Sequence, residues 1–368
     1  KSTILTIIKN NLLADVSEEN KVYMNFESME FSHIKEAQDL INYFLPITRE
    51  SKKKLYFFFD EIQLVKDWER VINGLRVDVE CDIYITGSNS TIISGDLATL
   101  LAGRYVEFEI HPFTFDEFLE IFDYTNLSKE ALFEKYIRIG GMPFLKYFDL
   151  EEMTSQKYLN DVYNTVLVKD VLNYNRIRDV DLFNRILSFV VQNIGKTFSA
   201  NSIHRYFKSE NREVSVDTIL NYLQYCMKAY IIKKVIRYDV TGKKTLKVDE
   251  KYYLNDHGFR QAMGFSNTKD IEVVLENIVY IELLSRGYQV EIGRVRDKEV
   301  DFIATRGNEK AYYQVTYLME SENTREREFG VYQLISDNYA KYVISMDHID
   351  FSQEGIFHKN IIDFLLEE

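Results

Sequence analysis

Leu55-Tyr56-Phe57-Phe58-Phe59 is an unbroken apolar and aromatic run that leads straight into two carboxylates, Asp60-Glu61. A strand with apolar residues on both faces has to be covered on both faces. That is the situation of a parallel sheet between helices, not of an antiparallel sheet with one wet side. The surrounding pattern agrees. Across residues 1–115, helical periodicity and short apolar runs take turns. Lys1 to Asn11 reads as a helix, Lys21 to Glu27 as a strand, and Ser32 to Phe44 as a helix stopping at Pro46. After the apolar strand come a helix from Trp68 to Leu75, a strand from Asp82 to Thr86, a helix from Thr91 to Leu101 and a strand from Tyr105 to Ile110. This order predicts an α/β domain with a helix-covered parallel sheet.

Carboxylates at the end of such a strand suit magnesium-dependent phosphate chemistry. Asp60 would support Mg2+ through its waters, and Glu61 would polarise an attacking water. The plain alternative is a buried strand that ends in surface acids. Lys1-Ser2-Thr3 opens an apolar helix, as the tail of a phosphate-binding loop does. There Lys1 and Thr3 would meet phosphate and the Ser2 hydroxyl the metal. The glycines of such a loop would precede Lys1, and a chain starting at Lys1 is expected to bind ATP poorly. Gly87-Ser88-Asn89-Ser90 follows the next strand. Ser88 or Asn89 could sense a γ-phosphate there, or Ser88 or Ser90 could cap a helix. In this order and spacing the three segments predict a P-loop site for ATP and Mg2+.

From Pro112 to about Leu187 the pattern is helical, with a break at Gly140-Gly141-Met142-Pro143. Thr197 to Asp256 reads as a helix, a turn, a second helix from Val216 to Met227 capped by Ser215, and a hairpin. The hairpin strands are Ile231 to Tyr238 and Thr245 to Leu254. This order matches a winged helix. Residues 205–251 hold eleven Lys or Arg and six Asp or Glu, in a chain whose net charge is −13. The basic hairpin could hold DNA phosphates. The exposed face of the second helix carries Ser215, Asp217, Thr218, Asn221 and Gln224, without Arg or Lys, so an interdomain role stands beside DNA contact.

A helix from Val273 to Ser285 follows, then strands from Tyr288 to Arg294, Glu299 to Thr305 and Lys310 to Leu318, then a helix and a strand. Glu276 on the helix, Asp301 on the second strand and Gln314 on the third resemble the metal-holding trio of the PD-(D/E)xK nuclease fold. Thr316 stands where that pattern has lysine. Lys298 is close in sequence, but strand alternation from Asp301 points it to the opposite face. The expectation is a kept fold with lost or crippled catalysis, and weak metal binding at most.

FFFDEIQLVKDWE, ITGSNS, LAGRYVEFEIHPFTFDEF and GGMPFLKY together resemble the archaeal and bacterial AAA-type ATPases, STAND-like proteins whose ATPase is fused to a C-terminal domain of the DUF4143 type. The resemblance covers nearly the whole chain. It implies an ATPase core at 1–115, a helical lid at 116–190, a winged helix at 191–256 and a small restriction-endonuclease-like α/β domain at 257–368. It makes Arg104 an arginine finger or sensor for the γ-phosphate, in its own subunit or a neighbour's, so that a homo-oligomer is plausible. It sets the Gly-Gly-x-Pro turn near the nucleotide.

The acidic balance argues against a general nucleic-acid coat. Cys81 and Cys226 are the only cysteines and offer neither zinc spacing nor a disulfide framework, which fits a reduced cytoplasmic setting. No apolar run reaches the ~18 residues of a membrane span. The functional expectation is Mg2+-dependent ATP binding and hydrolysis that switches the C-terminal parts. The alternatives are an ATP-gated DNA nuclease and a regulator that binds nucleotide without turnover.

Overall fold

In the computed structural model, which describes residues 1–50, 53–87, 103–123, 125–173 and 175–367, the apolar run is the middle strand of a three-stranded parallel sheet. The strands are β1 (Lys21–Asn25), β2 (Leu55–Asp60) and β3 (Cys81–Ile85), in that spatial order. Helix α1 (Ser2–Ile7) runs on into a wider π-type turn, Ile8–Leu12, and α2 (Ala37–Glu50) and α3 (Trp68–Asp78) complete the unit. Strand alternation sorts the run. Leu55, Phe57 and Phe59 share a core with Leu40 and Phe44 of α2 and Trp68, Val71 and Ile72 of α3. Phe58 points to the other face, fully buried, and stacks on Tyr84 at 5.0 Å between ring centres. Each buried phenyl ring stabilises the fold by roughly 2–3 kcal/mol.

Two expectations for this unit need correction. Helix α2 does not stop at Pro46 but passes through it to Glu50. Pro46 lies on the exposed side, so the carbonyl its ring leaves unpaired faces water, while Ile47 still packs on the core. Residues 105–110 form no strand. Val106 and Phe108 are 77% and 81% exposed. The alternation is present, but among the described residues no strand pairs with this segment, so it has no ladder to join. The helix expected from Thr91 to Leu101 lies outside the described residues.

The chain divides into two units, Lys1–Ile110 and His111–Glu368. The second begins with helices α4 (Phe115–Ile121) and α5 (Lys129–Ile139) and a 3-10 turn at Pro143–Phe148. Then come α6 (Glu152–Val166), α7 (Val180–Gln192), α8 (Ala200–Ser209) and α9 (Val216–Lys228). Ser215 caps α9 as expected, its Oγ accepting from the Thr218 N–H at 3.0 Å. The hairpin is β4 (Ile232–Asp239) and β5 (Lys244–Leu254), followed by α10 (Gly258–Ala262) and α11 (Ile271–Ser285). The remaining elements are β6 (Gln289–Val295), β7 (Lys298–Arg306), β8 (Glu309–Val315), α12 (Glu322–Gly330), β9 (Ala340–Ser345), β10 (Phe357–Asn360) and α13 (Ile361–Leu366).

The hairpin is not a free wing. Strand β4 pairs with β5 on one side and, in parallel, with β6 on the other, giving a seven-stranded sheet of order β10-β9-β8-β7-β6-β4-β5. One core runs from Phe115 to Leu365, so packing is continuous across residue 256. Helix α11 lies in its middle, with Val274, Leu275, Ile278, Val279 and Leu283 all buried. Among the described residues no helix is long and apolar enough to cross a membrane.

Candidate nucleotide site and the C-terminal acidic cluster

Parallel register brings three side chains to Asp60. Asn25 is the β1 partner of Asp60, and pairing of Phe59 with Ile85 carries the next residue, Thr86, to its other side. Asp60 is fully buried. Its Oδ2 accepts from the Tyr23 hydroxyl at 3.2 Å and from Asn25 Nδ2 at 3.3 Å, and its Oδ1 accepts from the Thr86 hydroxyl. A buried carboxylate needs such donors, and here all three are neutral side chains. Thr86→Val removes one of them. The expected cost is about 1–3 kcal/mol, read as a lower urea midpoint; an unchanged midpoint would show that the Thr86 hydroxyl does not support Asp60.

Glu61 leaves the strand. Its backbone is left-handed, φ 57° and ψ 43°, as it turns into the short helix Ile62–Leu64. A non-glycine residue there carries strain of about 1–3 kcal/mol. The turn parts the two acids: Asp60 is fixed in the sheet, while Glu61 is half-buried beside it and accepts from Gln63 Nε2. Lys1 donates from Nζ to the Gly87 carbonyl at 2.7 Å. Ser2 is the first residue of α1, and Thr3 is exposed one residue on. An Asp carboxylate with a Ser hydroxyl is the all-oxygen donor set that suits Mg2+.

Asp60 and Glu61 are thus neighbours at the end of β2, and Lys1 Nζ reaches the Gly87 carbonyl, one residue past Thr86. Ser88 and Asn89 lie outside the described residues. Arg104 is exposed in the bend after Gly103, and among the described residues no hydrogen bond or ion pair joins it to Asp60 or Glu61. Tyr23, Asn25 and Thr86 were not singled out from the sequence. The signal that could have found them is strand register: Asn25 ends β1 opposite Asp60, Tyr23 lies two residues earlier on the same face, and Thr86 follows the end of β3.

In the second unit Glu276 and Asp301 come together around a lysine, with Gln314 bonded to the Asp301 backbone. Lys251 of β5 puts Nζ 2.9 Å from Glu276 Oε1, 2.6 Å from Glu299 Oε1 and 3.9 Å from Asp301 Oδ1. Tyr253 donates to Glu276 at 2.5 Å. Asp301 accepts from the Val315 N–H at 2.8 Å, and its own N–H donates to Gln314 Oε1 at 3.3 Å. Burial, with Glu276 next to it, pushes the Asp301 carboxyl well above the usual range. Thr316 is buried at the position of the nuclease-pattern lysine, and Lys298 reaches toward Gly330. Among the described residues no three His, Cys, Asp or Glu side chains are arranged to hold a metal ion.

The Gly140-Gly141 turn is filled from within the same unit. Asp256, fully buried, accepts from the Gly141 N–H at 2.9 Å and the Gly258 N–H at 2.7 Å. His257 Nε2 meets the Tyr136 carbonyl at 2.7 Å, and Asn267 Nδ2 donates to the Ile137 carbonyl at 2.8 Å. Burial raises the Asp256 carboxyl and lowers the His257 imidazole.

Comparison with known proteins bears on both units. The family model for an AAA domain matches residues 1–119, and that for a domain of unknown function, DUF8612, matches residues 130–270. An uncharacterized protein of Haemophilus influenzae is 35% identical over 355 residues, which are 96% of this chain and 88% of that one. The uncharacterized protein MJ1544 of Methanocaldococcus jannaschii is 28% identical over 355 residues, 93% of this chain and 78% of its own. Among solved structures, the Walker-type ATPase PABY2304 of Pyrococcus abyssi aligns over 69% of this chain and 87% of its own at 13% identity, with a TM-score of 0.46.

Proposed function

The chain belongs to one family with the Haemophilus influenzae protein, and because its residues 1–119 match the AAA-domain model we propose that it binds ATP with Mg2+ at the end of β2 and hydrolyses it through Glu61. The parting of the two acids supports this most. One carboxylate is pinned in the sheet by three donors, and its neighbour is turned away by a strained backbone. Strain of this kind persists where a position is over-determined, and it gathers at working sites.

In this reading Lys1 meets the phosphate oxygens. Ser2 and Asp60 would hold Mg2+, which neutralises charge across the β- and γ-phosphates. Glu61 orients and polarises the attacking water. Ser88 and Asn89 sense the γ-phosphate, with Thr3 beside the phosphate cradle. Arg104 adds positive charge in its own subunit or a neighbour's, and the second case makes a homo-oligomer the working form. Turnover then switches the winged-helix and nuclease-like parts.

DNA contact by α8, α9 and the hairpin is the weaker reading. The exposed residues of α9 include Asp217, Leu220, Asn221 and Gln224, without a cation among them, which supports an interdomain role. The test of the ATP site is titration of the full-length protein with a fluorescent ATP analogue. Wild type should bind in the presence of Mg2+, and Lys1→Ala should bind at least ~10-fold more weakly, about the 1.4 kcal/mol expected of one charge-assisted contact. Equal affinities would remove Lys1 from the site, and no binding by wild type would defeat the proposal.

A further inference from the structure

The nuclease-like trio has a cation of its own. Asn277 accepts from the Leu254 N–H at 2.8 Å and donates to the Leu254 carbonyl at 3.0 Å, which clamps β5 against α11. One residue earlier on that helix, Glu276 therefore faces β5, where Lys251 and Tyr253 cover it. Lys251 is 3% exposed and Asp301 is 9% exposed. A scissile phosphodiester would have to displace the strand to reach either acid.

The charges close without an ion from solution. Lys251 pairs with Glu276 and Glu299, and Arg237 adds a second contact to Glu299 at 3.4 Å. Desolvation opposes the Lys251 charge, but Glu276, Asp301 and Glu299 outweigh it, so the ammonium is held charged. Asp301 has been pushed toward its neutral form. Gln314 is engaged at its carbonyl oxygen by the Asp301 N–H. The residues present do not fit a divalent ion.

We infer that Lys251 is the resident cation of this cluster: its ammonium takes the place a divalent ion would need among Glu276, Glu299 and Asp301, and the cluster is an ionic joint that ties β5 to α11 and β7. A buried pair of this kind is costly to break from one side, because the partner left behind is an uncompensated charge. Removing both partners is far less damaging.

Mn2+ titration of the nucleotide-free full-length protein, followed by electron paramagnetic resonance, tests the inference without any change to the lysine. Wild type and Asp301→Asn should bind the same number of ions. A site present in wild type and lost in Asp301→Asn would overturn it. Lys251→Met gives the second arm. Its thermal midpoint should fall by roughly 10 °C, and Lys251→Met/Glu276→Gln should recover part of that loss. A Lys251→Met midpoint equal to wild type would also overturn the inference. Should Lys251→Met fail to fold, the Mn2+ comparison decides alone.

Discussion

Glu61→Gln is expected to leave ATP binding within about twofold of wild type and to lower phosphate release at least ~100-fold, the span of a lost general base. Gln keeps the length and shape of the side chain and its left-handed backbone, φ 57°, but cannot take up a proton. The loss should therefore fall on turnover and leave the ground state alone. Glu61→Gly sharpens the reading. Glycine adopts this backbone freely, so it should unfold later by about 1 kcal/mol while being equally inactive. A position that gains stability as it loses activity is one whose strain serves function. Phosphate release unchanged in Glu61→Gln would move the base elsewhere.

Gly141→Ala should be the most damaging single methyl group in the second unit. Its new Cβ would overlap the Phe113 carbonyl oxygen, which is backbone and cannot swing away. The same segment receives the Gly141 carbonyl at the Phe113 N–H, 2.8 Å, so moving it breaks a second contact. The shift would also withdraw the Gly141 N–H from Asp256, whose carboxyl is wholly buried. Losing a donor to a buried carboxylate costs about 1–3 kcal/mol, and overpacking adds ~1–3 kcal/mol more. The total of about 3 kcal/mol or above should lower the thermal midpoint by roughly 10 °C. Gly140→Ala, at φ 73° and overlapping Asp256, should be nearly as costly. A Gly141→Ala protein that melts within 2 °C of wild type, or about 0.5 kcal/mol, would show that the turn yields easily.

What could be read from the sequence was what local pattern controls. The apolar run of β2 needed no tertiary knowledge, because two buried faces follow from composition alone. The cap at Ser215 and the hairpin at β4–β5 were legible for the same reason. Pattern misled where a partner was required. Residues 105–110 alternate like a strand but pair with none among the described residues. Pro46 signals a stop in the local pattern, yet a proline on an exposed helix face costs only a hydrated carbonyl. The acids of the nucleotide site were visible as a dipeptide, whereas Tyr23, Asn25 and Thr86 become site residues only through register. Lys251 was counted among the basic residues of the hairpin. Nothing local shows that β5 lies against α11 and carries that charge to Glu276, 25 residues away.

The central claim is that ATP is hydrolysed at the end of β2, and single-turnover hydrolysis of γ-labelled ATP by the full-length protein tests it most directly. With Mg2+, wild type should release labelled phosphate, chelation should stop it, and Asp60→Asn should fall at least ~100-fold below it. Release by Asp60→Asn at the wild-type rate, or none above background by wild type with Mg2+ present, would contradict the claim.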